Sequence, residues 1–222
     1  MPNGSLSLPA RLHLLAWDTT RNELAGTTHL HHLVRAGALT ELARRGLLVD
    51  DDGIATPVDM DSRTGDAVLD GLLELVRESR PHRWRGWVTL HARVTFEAVR
   101  EQLAAEGYLR VEKRRALGLF PTVEYAVERV AVVEALREEV RRILDGPVRV
   151  AEVSDRDAAL AVLAAAAELR SLTPRVSREE RAHHKARLLE LTERGGAAAP
   201  VLRMVVPELC AALTPADAPT GA

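Results

Sequence analysis

Cysteine and long apolar runs are almost missing from this sequence of 222 residues. The single cysteine, Cys210, excludes a disulfide framework and suits a reducing compartment such as the cytoplasm. No apolar run approaches the roughly 18–20 residues that a membrane span needs. The longest run, residues 158–167, is mostly alanine and predicts a packed helix. We expect Cys210 to be buried on an apolar helix face, and we expect no secretion signal because no basic segment leads into an apolar one near the N-terminus.

The sequence also contains little lysine and has a small net charge. Lysine occurs only at Lys113 and Lys185, whereas 28 of the 30 basic residues are arginine. The formal net charge of -2 excludes a basic field over the whole molecule that would attract nucleic acid or a membrane. Any anion-binding surface must therefore be a local patch. The arginine bias is interpreted as the composition of a GC-rich bacterial genome and carries no functional weight.

Sequence motifs for bond chemistry and for metal binding are missing as well. The sequence contains no GxSxG turn, P-loop, GxGxxG segment, HExxH motif or pair of cysteines. We therefore predict a protein that is not an enzyme and that needs no cofactor or metal. Two histidine groups are interpreted as solvated or capping side chains rather than as zinc ligands. These are His29, His31 and His32, and His183 and His184.

Helical periodicity recurs along most of the chain. Apolar residues at i, i+3, i+4 and i+7 predict an amphipathic helix after Thr64-Gly65-Asp66, and Ser154 is placed to begin another. The whole pattern predicts a mainly α protein, a single helical domain of about eight helices with two small β-hairpins, spanning residues 5–214. Residues 1–4 and 215–222 are expected to be flexible termini.

The strongest functional signal lies in residues 93–127. Thr95 is placed to cap a helix and Gly107 to end it. Arg93 precedes this helix, and a basic hairpin with an apolar tip follows it. A helix followed by such a hairpin is suited to touching a partner. An earlier segment, ELARRGLLVDDDG, resembles QLAAEGYLRVEKR, so the helix–hairpin unit is expected to occur twice, either as a weak internal repeat or simply as two wings on a helical core.

The predicted hairpin combines three basic and three large apolar side chains. They are Lys113, Arg114, Arg115, Leu117, Leu119 and Phe120. Each apolar side chain would contribute roughly 1.5–3 kcal/mol when fully buried in a membrane interface. Each cation would add about 1 kcal/mol near an anionic surface. The sum predicts reversible attachment, whereas packing of the leucines and Phe120 against the helices is the alternative.

Arg35 and Arg93 are the candidate anion ligands. His31, His32 and Arg35 fall within one turn of the second predicted helix, and Arg93 stands at the start of the helix before the hairpin. A guanidinium beside the N–H groups of a helix N-terminus binds phosphate well. A solvated surface charge is the alternative interpretation of each arginine.

Four segments resemble the Golgi phosphoprotein family: LSLPARLHLLAWD, AGALTELARRGLL, TGDAVLDGLLELV and VREQLAAEGYLRVEKRRALGLF. The resemblance covers about residues 5–195. It implies a mostly helical domain whose hairpin inserts into a membrane or mediates self-association. Eukaryotic members bind phosphatidylinositol 4-phosphate and retain glycosyltransferases by binding their cytoplasmic tails, and bacterial relatives carry the domain alone.

The lipid pocket of that family uses a tryptophan and three arginines. The resemblance places two of the arginines on Arg35 and Arg93, the tryptophan on Gly26 and the third arginine on Phe96. The retained pair implies a site for an acidic phospholipid headgroup resembling phosphatidylinositol 4-phosphate. The implied protein is cytoplasmic and peripherally membrane-associated, with cytoplasmic tails of membrane proteins as further partners and without nucleic acid.

A winged-helix transcription regulator that binds DNA is the alternative function, because two helices and a hairpin also describe that class. The charge argues against it, since a DNA-reading helix carries a basic stripe. Between residues 96 and 106 there are three acidic residues and one basic residue: Glu97, Glu101, Glu106 and Arg100. An enzyme without a local motif is a third alternative, but no set of residues in the sequence supports it.

Overall fold

The structure, a computed structural model, describes residues 6–24, 29–116, 120–146, 148–167, 169 and 178–213. Side chains are described in these ranges except at 113–116, 120–122, 178–184 and 213. Within these ranges the chain forms nine α-helices and three antiparallel hairpins of two strands each. The predicted mainly α class is confirmed.

The helices and strands follow one another along the chain with short connections. The helices are α1 (Leu8–Leu15), α2 (Leu30–Arg44), α3 (Ala67–Glu78), α4 (Trp84–Thr89), α5 (Ala92–Ala105), α6 (Val130–Asp145), α7 (Asp155–Ala166), α8 (Arg178–Arg194) and α9 (Ala199–Leu213). The strands are β1 (Trp17–Asp18), β2 (Glu23–Leu24), β3 (Leu48–Asp51), β4 (Ile54–Pro57), β5 (Leu109–Ala116) and β6 (Phe120–Val127).

The central helix is α2, which is buried along most of its length and contacts α1, α4, α5, α7 and α9. Small residues let these neighbours approach closely. A Cβ atom added to Gly37 would lie 2.4 Å from Leu12 Cδ1 of α1. Because α2 is surrounded by other helices, even its charged residues Arg35 and Glu41 are buried.

Glu41 is stabilised as an anion by two arginines of its own helix end. Arg44 and Arg45 form ion pairs with Glu41 Oε1 at 3.0 and 2.9 Å. Burial opposes ionisation, but the hydrogen bond from Arg44 and the charges of both arginines hold the pKa of Glu41 below its usual value. The buried carboxylate therefore contributes to stability only with its partners in place.

The expected pair of helix–hairpin units is present. Helix α2 leads into β3–β4, and α5 leads into β5–β6. Gly46 and Gly107 follow the two helices with φ values of 70° and 72°. Their N–H groups donate to the carbonyl oxygens of Ala43 and Ala104 in the same pattern. Glycine adopts this positive φ without strain, so both helices end in the same way.

The predicted start of α5 is wrong by four residues, because the N-cap residue is His91 rather than Thr95. His91, with a φ of 51°, precedes the helix, which begins at Ala92. Thr95 is therefore not the cap but a buried residue inside the helix. The reason is that Ala92 and Thr95 extend the buried face formed by Val99 and Leu103, so the core-facing side begins one turn earlier. Arg93 consequently lies in the first turn of α5.

The short helix α4 was not predicted, and the expected burial of Cys210 needs correction. Trp84 and Trp87 are buried in α4. Trp84 Nε1 donates to Asp50 Oδ1 at 2.7 Å, which ties α4 to β3. Cys210 is exposed rather than buried, because it lies on the outer face of α9, whereas Leu209 lies on the buried face.

In the part of the chain that the structure describes, no single helix is long and apolar enough to cross a membrane. The pair Lys185–Arg194 and Gly196–Ala212, bent by 111°, meets the length and composition criteria together.

Candidate functional site

Arg35 joins the central helix to the start of α5. Its side chain is only 1% exposed. Nη2 donates hydrogen bonds to the backbone carbonyl oxygens of Leu90 and His91 at 2.9 and 2.7 Å. These two residues connect α4 to α5. Arg35 therefore fixes the backbone from which α5 starts.

The charge of Arg35 is only partly compensated. Its Nε and Nη1 atoms are buried and have no hydrogen-bond partner among the described residues. Within the same part of the chain, its only hydrogen bonds are to neutral carbonyl groups. Burial lowers the pKa of Arg35 to about 10, so the side chain is still a cation at neutral pH. A buried cation without a counter-ion is costly, and a nearby anion would offset part of that cost.

Arg93 lies two positions after His91 and is exposed. No ion pair or hydrogen bond of its side chain occurs within the described ranges. The first turn of α5 contains no acidic residue, and no side chain caps it. The first N–H groups of a helix lack intrahelical partners and carry partial positive charge. Arg35 and Arg93, distant in sequence, thus both lie near the start of α5, and only Arg93 is exposed to solvent.

Three histidines meet at the start of α2. The rings of His29 and His32 are nearly parallel with centroids 5.5 Å apart, and the centroids of His31 and His32 are 4.1 Å apart. All three are half-buried, so part of each side chain remains in contact with solvent. His29 is the N-cap residue but makes no side-chain capping hydrogen bond. The i, i+2, i+3 spacing of these histidines across a helix start is the sequence feature that could have indicated their contact.

Arg93 also contributes to the pKa shifts of His31 and His32. Burial, then the charge of Arg93 and then His29 lower the pKa of His31. Burial lowers the pKa of His32 to about 4, with smaller effects from His31, His29 and Arg93. Both imidazoles are therefore neutral at pH 7. Helices α2 and α5 also pack against each other. We call Arg35, Arg93 and the first turn of α5 the α2–α5 site.

The resemblance implies two further positions in the family's lipid pocket, Gly26 and Phe96. Gly26 lies outside the described residues. Phe96 is half-buried, with its ring centroid 4.9 Å from that of His13. The position of the third arginine is thus occupied by an aromatic residue that packs against the core.

The β5–β6 hairpin is in register from Leu109 opposite Val127 to Ala116 opposite Phe120. Arg100 of α5 stacks on Tyr125, 4.2 Å from the ring centroid, and attaches the hairpin base to α5. Among the residues predicted to contact a membrane, two lie outside the described residues, and four belong to the paired strands but have no described side chain. They are Leu117 and Leu119, and Lys113, Arg114, Arg115 and Phe120.

These features define a mainly helical domain built on two helix–hairpin units, with two arginines near the start of α5. The sequence profile of the family described as Golgi phosphoprotein 3 (GPP34) matches residues 8–209. The chain belongs to this family, and the resemblance seen in the sequence is confirmed. The match includes both units and both arginines of the α2–α5 site. Comparison with curated proteins finds no match.

Proposed function

We propose that this protein binds acidic phospholipid headgroups at a membrane surface and that the α2–α5 site receives the headgroup phosphate. The observation that carries the proposal is the exposed Arg93 at the uncapped start of α5. A guanidinium and helix N-terminal N–H groups together form a phosphate-binding arrangement. A local site of this kind can act although the net charge of the chain is -2.

The two arginines have different roles in this proposal. Arg93 donates directly to the phosphate oxygens. Arg35, which is buried, is a positioning residue because its hydrogen bonds to the carbonyl groups of Leu90 and His91 set the direction of the first N–H groups of α5. Its positive charge also favours an anion at this helix start, and the low-dielectric surroundings strengthen that attraction.

Exposed apolar side chains support a membrane as the partner. Val94, the neighbour of Arg93, is 64% exposed. Val111 and Val123 on the β5–β6 hairpin are 46% and 56% exposed. Burial of such side chains at an interface adds up to roughly 1.5 kcal/mol each. Insertion of the hairpin tip, self-association through the hairpin and binding of cytoplasmic tails remain predictions from the sequence.

DNA binding gains no support from α5. Arg100, the basic residue in the middle of this helix, forms an ion pair with Glu97 and stacks on Tyr125. Glu101 and Glu106 are exposed. Both observations favour a lipid partner over a nucleic acid, because a recognition helix requires cations that are available to phosphates.

Co-sedimentation with vesicles tests the proposal. We expect pelleting with vesicles that contain phosphatidylinositol 4-phosphate, phosphatidylinositol or phosphatidylserine, and none with pure phosphatidylcholine. Arg93→Gln should weaken pelleting, whereas Arg142→Gln, the same change at an exposed arginine of α6, should leave it unchanged. A mobility-shift assay on duplex DNA is run beside it. Absence of pelleting with every acidic lipid, or a DNA shift without pelleting, would refute the proposal.

A further inference from the structure

The histidine cluster at the start of α2 has the geometry of a metal site. One ring nitrogen from each of His29, His31 and His32 lies within 4.8 Å of the other two. In a tetrahedral site with Zn–N bonds of about 2.0–2.1 Å, ligand nitrogens lie roughly 3.4 Å apart. The ligand nitrogens of the three rings therefore need to move closer to one another by about 1.5 Å at most. Half-buried side chains at a helix start can do this by rotation about their χ angles.

The donor set selects a class of metal. Neutral imidazole suits Zn²⁺, Ni²⁺, Co²⁺ and Cu²⁺, whereas Mg²⁺ and Ca²⁺ require oxygen ligands. The cluster contains no carboxylate within the described ranges. The buried Nδ1 atom of His32 has no hydrogen-bond partner among the described residues. A metal ion bound at this atom would give the His32 ring the partner that hydrogen bonds do not supply.

We propose that His29, His31 and His32 bind one divalent transition-metal ion, with Zn²⁺ as the reference ion, through one nitrogen each. Water would fill the remaining coordination positions. The positive charge of Arg93 opposes the ion, but this side chain is exposed and solvent screens its charge. The proposal does not depend on lipid binding, since the three ligands are separate from Arg93 and Arg35.

The test is isothermal titration of the untagged full chain with ZnCl₂, followed by titration with CoCl₂ monitored by visible absorption. We expect one equivalent of metal per chain and a cobalt spectrum with the intense bands of a low-symmetry site. His29→Ala, His31→Ala and His32→Ala should each weaken the affinity at least about tenfold, since even changes beyond the direct ligands cost that much. His82→Ala, at an exposed histidine outside the cluster, should retain the wild-type affinity.

Circular dichroism of each variant separates loss of ligand from loss of fold. His29→Ala changes a residue that precedes α2, so it provides a ligand deletion outside the helix itself. Saturable binding that is lost in the cluster variants and kept in His82→Ala supports the site. Absence of saturable binding to the wild type, or binding that survives all three cluster substitutions, overturns it. Because no lipid is present, neither result bears on headgroup binding.

Discussion

Acid should destabilise this protein through His13. His13 belongs to α1, and its side chain is fully buried. The centroid of its ring lies 4.9 Å from that of Phe96 and 6.5 Å from that of Trp17. Neither ring nitrogen has a hydrogen-bond partner among the described residues. Burial, and to a smaller extent the charge of Arg100, lower the pKa of His13 from 6.5 to about 3. The folded protein therefore holds His13 in its neutral form.

The sign and size of the effect follow from proton linkage. Between pH 6.5 and about 3, the unfolded chain binds a proton at His13 that the folded chain does not bind. Stability is therefore complete above pH 6.5 and falls as the pH decreases towards 3. Each pH unit corresponds to about 1.4 kcal/mol, so at about pH 5 this histidine alone should cost about 2 kcal/mol.

Urea unfolding of the wild type and of His13→Leu at about pH 7.5 and pH 5 measures this cost. Leucine fills a similar volume and cannot bind a proton, so the variant should lose about 2 kcal/mol less on acidification than the wild type. His31, His32 and the carboxylates titrate in both proteins, and their contributions cancel in the difference. His82→Leu, at an exposed histidine, is the matched control. An equal loss in wild type and His13→Leu would refute the reasoning.

Further predictions concern the charged groups and the thiol. Glu41→Gln should lower the free energy of unfolding by about 2 kcal/mol, because Arg44 and Arg45 lose a buried anionic acceptor; an unchanged urea midpoint would contradict this. Arg35→Met should weaken vesicle binding but cost no more than about 1 kcal/mol in thermal unfolding, since the lost hydrogen bonds are offset by removal of a buried cation. A loss of more than about 3 kcal/mol would instead assign Arg35 a purely structural role. Cys210 should react with a maleimide in the native protein because it is exposed, and labelling that requires denaturant would contradict its position.

Local signals in the sequence predicted the parts of the fold that depend on neighbours in the chain. Asp66 accepts hydrogen bonds from the N–H groups of Val68 and Leu69 at the start of α3. Ser154 accepts one from Asp157 at the start of α7. Gly107 ends α5 as expected. These features need only the side chain and backbone of a few consecutive residues.

Features that depend on tertiary packing could not be predicted in the same way. Arg35 was a candidate surface ligand, but α2 is enclosed by other helices, and its sequence has no pronounced apolar stripe that reveals this. Because His91 has a left-handed backbone and Ala92 is buried, α5 starts earlier than the sequence pattern predicts. Arg35 contacts the two residues before α5, which are 55 and 56 positions away in the sequence. No local sequence pattern predicts a contact over that distance.

The most direct test of the central claim compares vesicle dissociation constants of the wild type, Arg93→Gln and Arg142→Gln. General attraction of a cation to an acidic surface is worth about 1 kcal/mol, or about fivefold in affinity, wherever the cation faces the membrane. A direct hydrogen bond from a charged group to phosphate is worth about 1.5–3 kcal/mol, or more than tenfold. We predict a loss of more than about tenfold for Arg93→Gln and an unchanged constant for Arg142→Gln. Equal losses in both variants, or no binding of the wild type to acidic vesicles, would contradict a headgroup site at the start of α5.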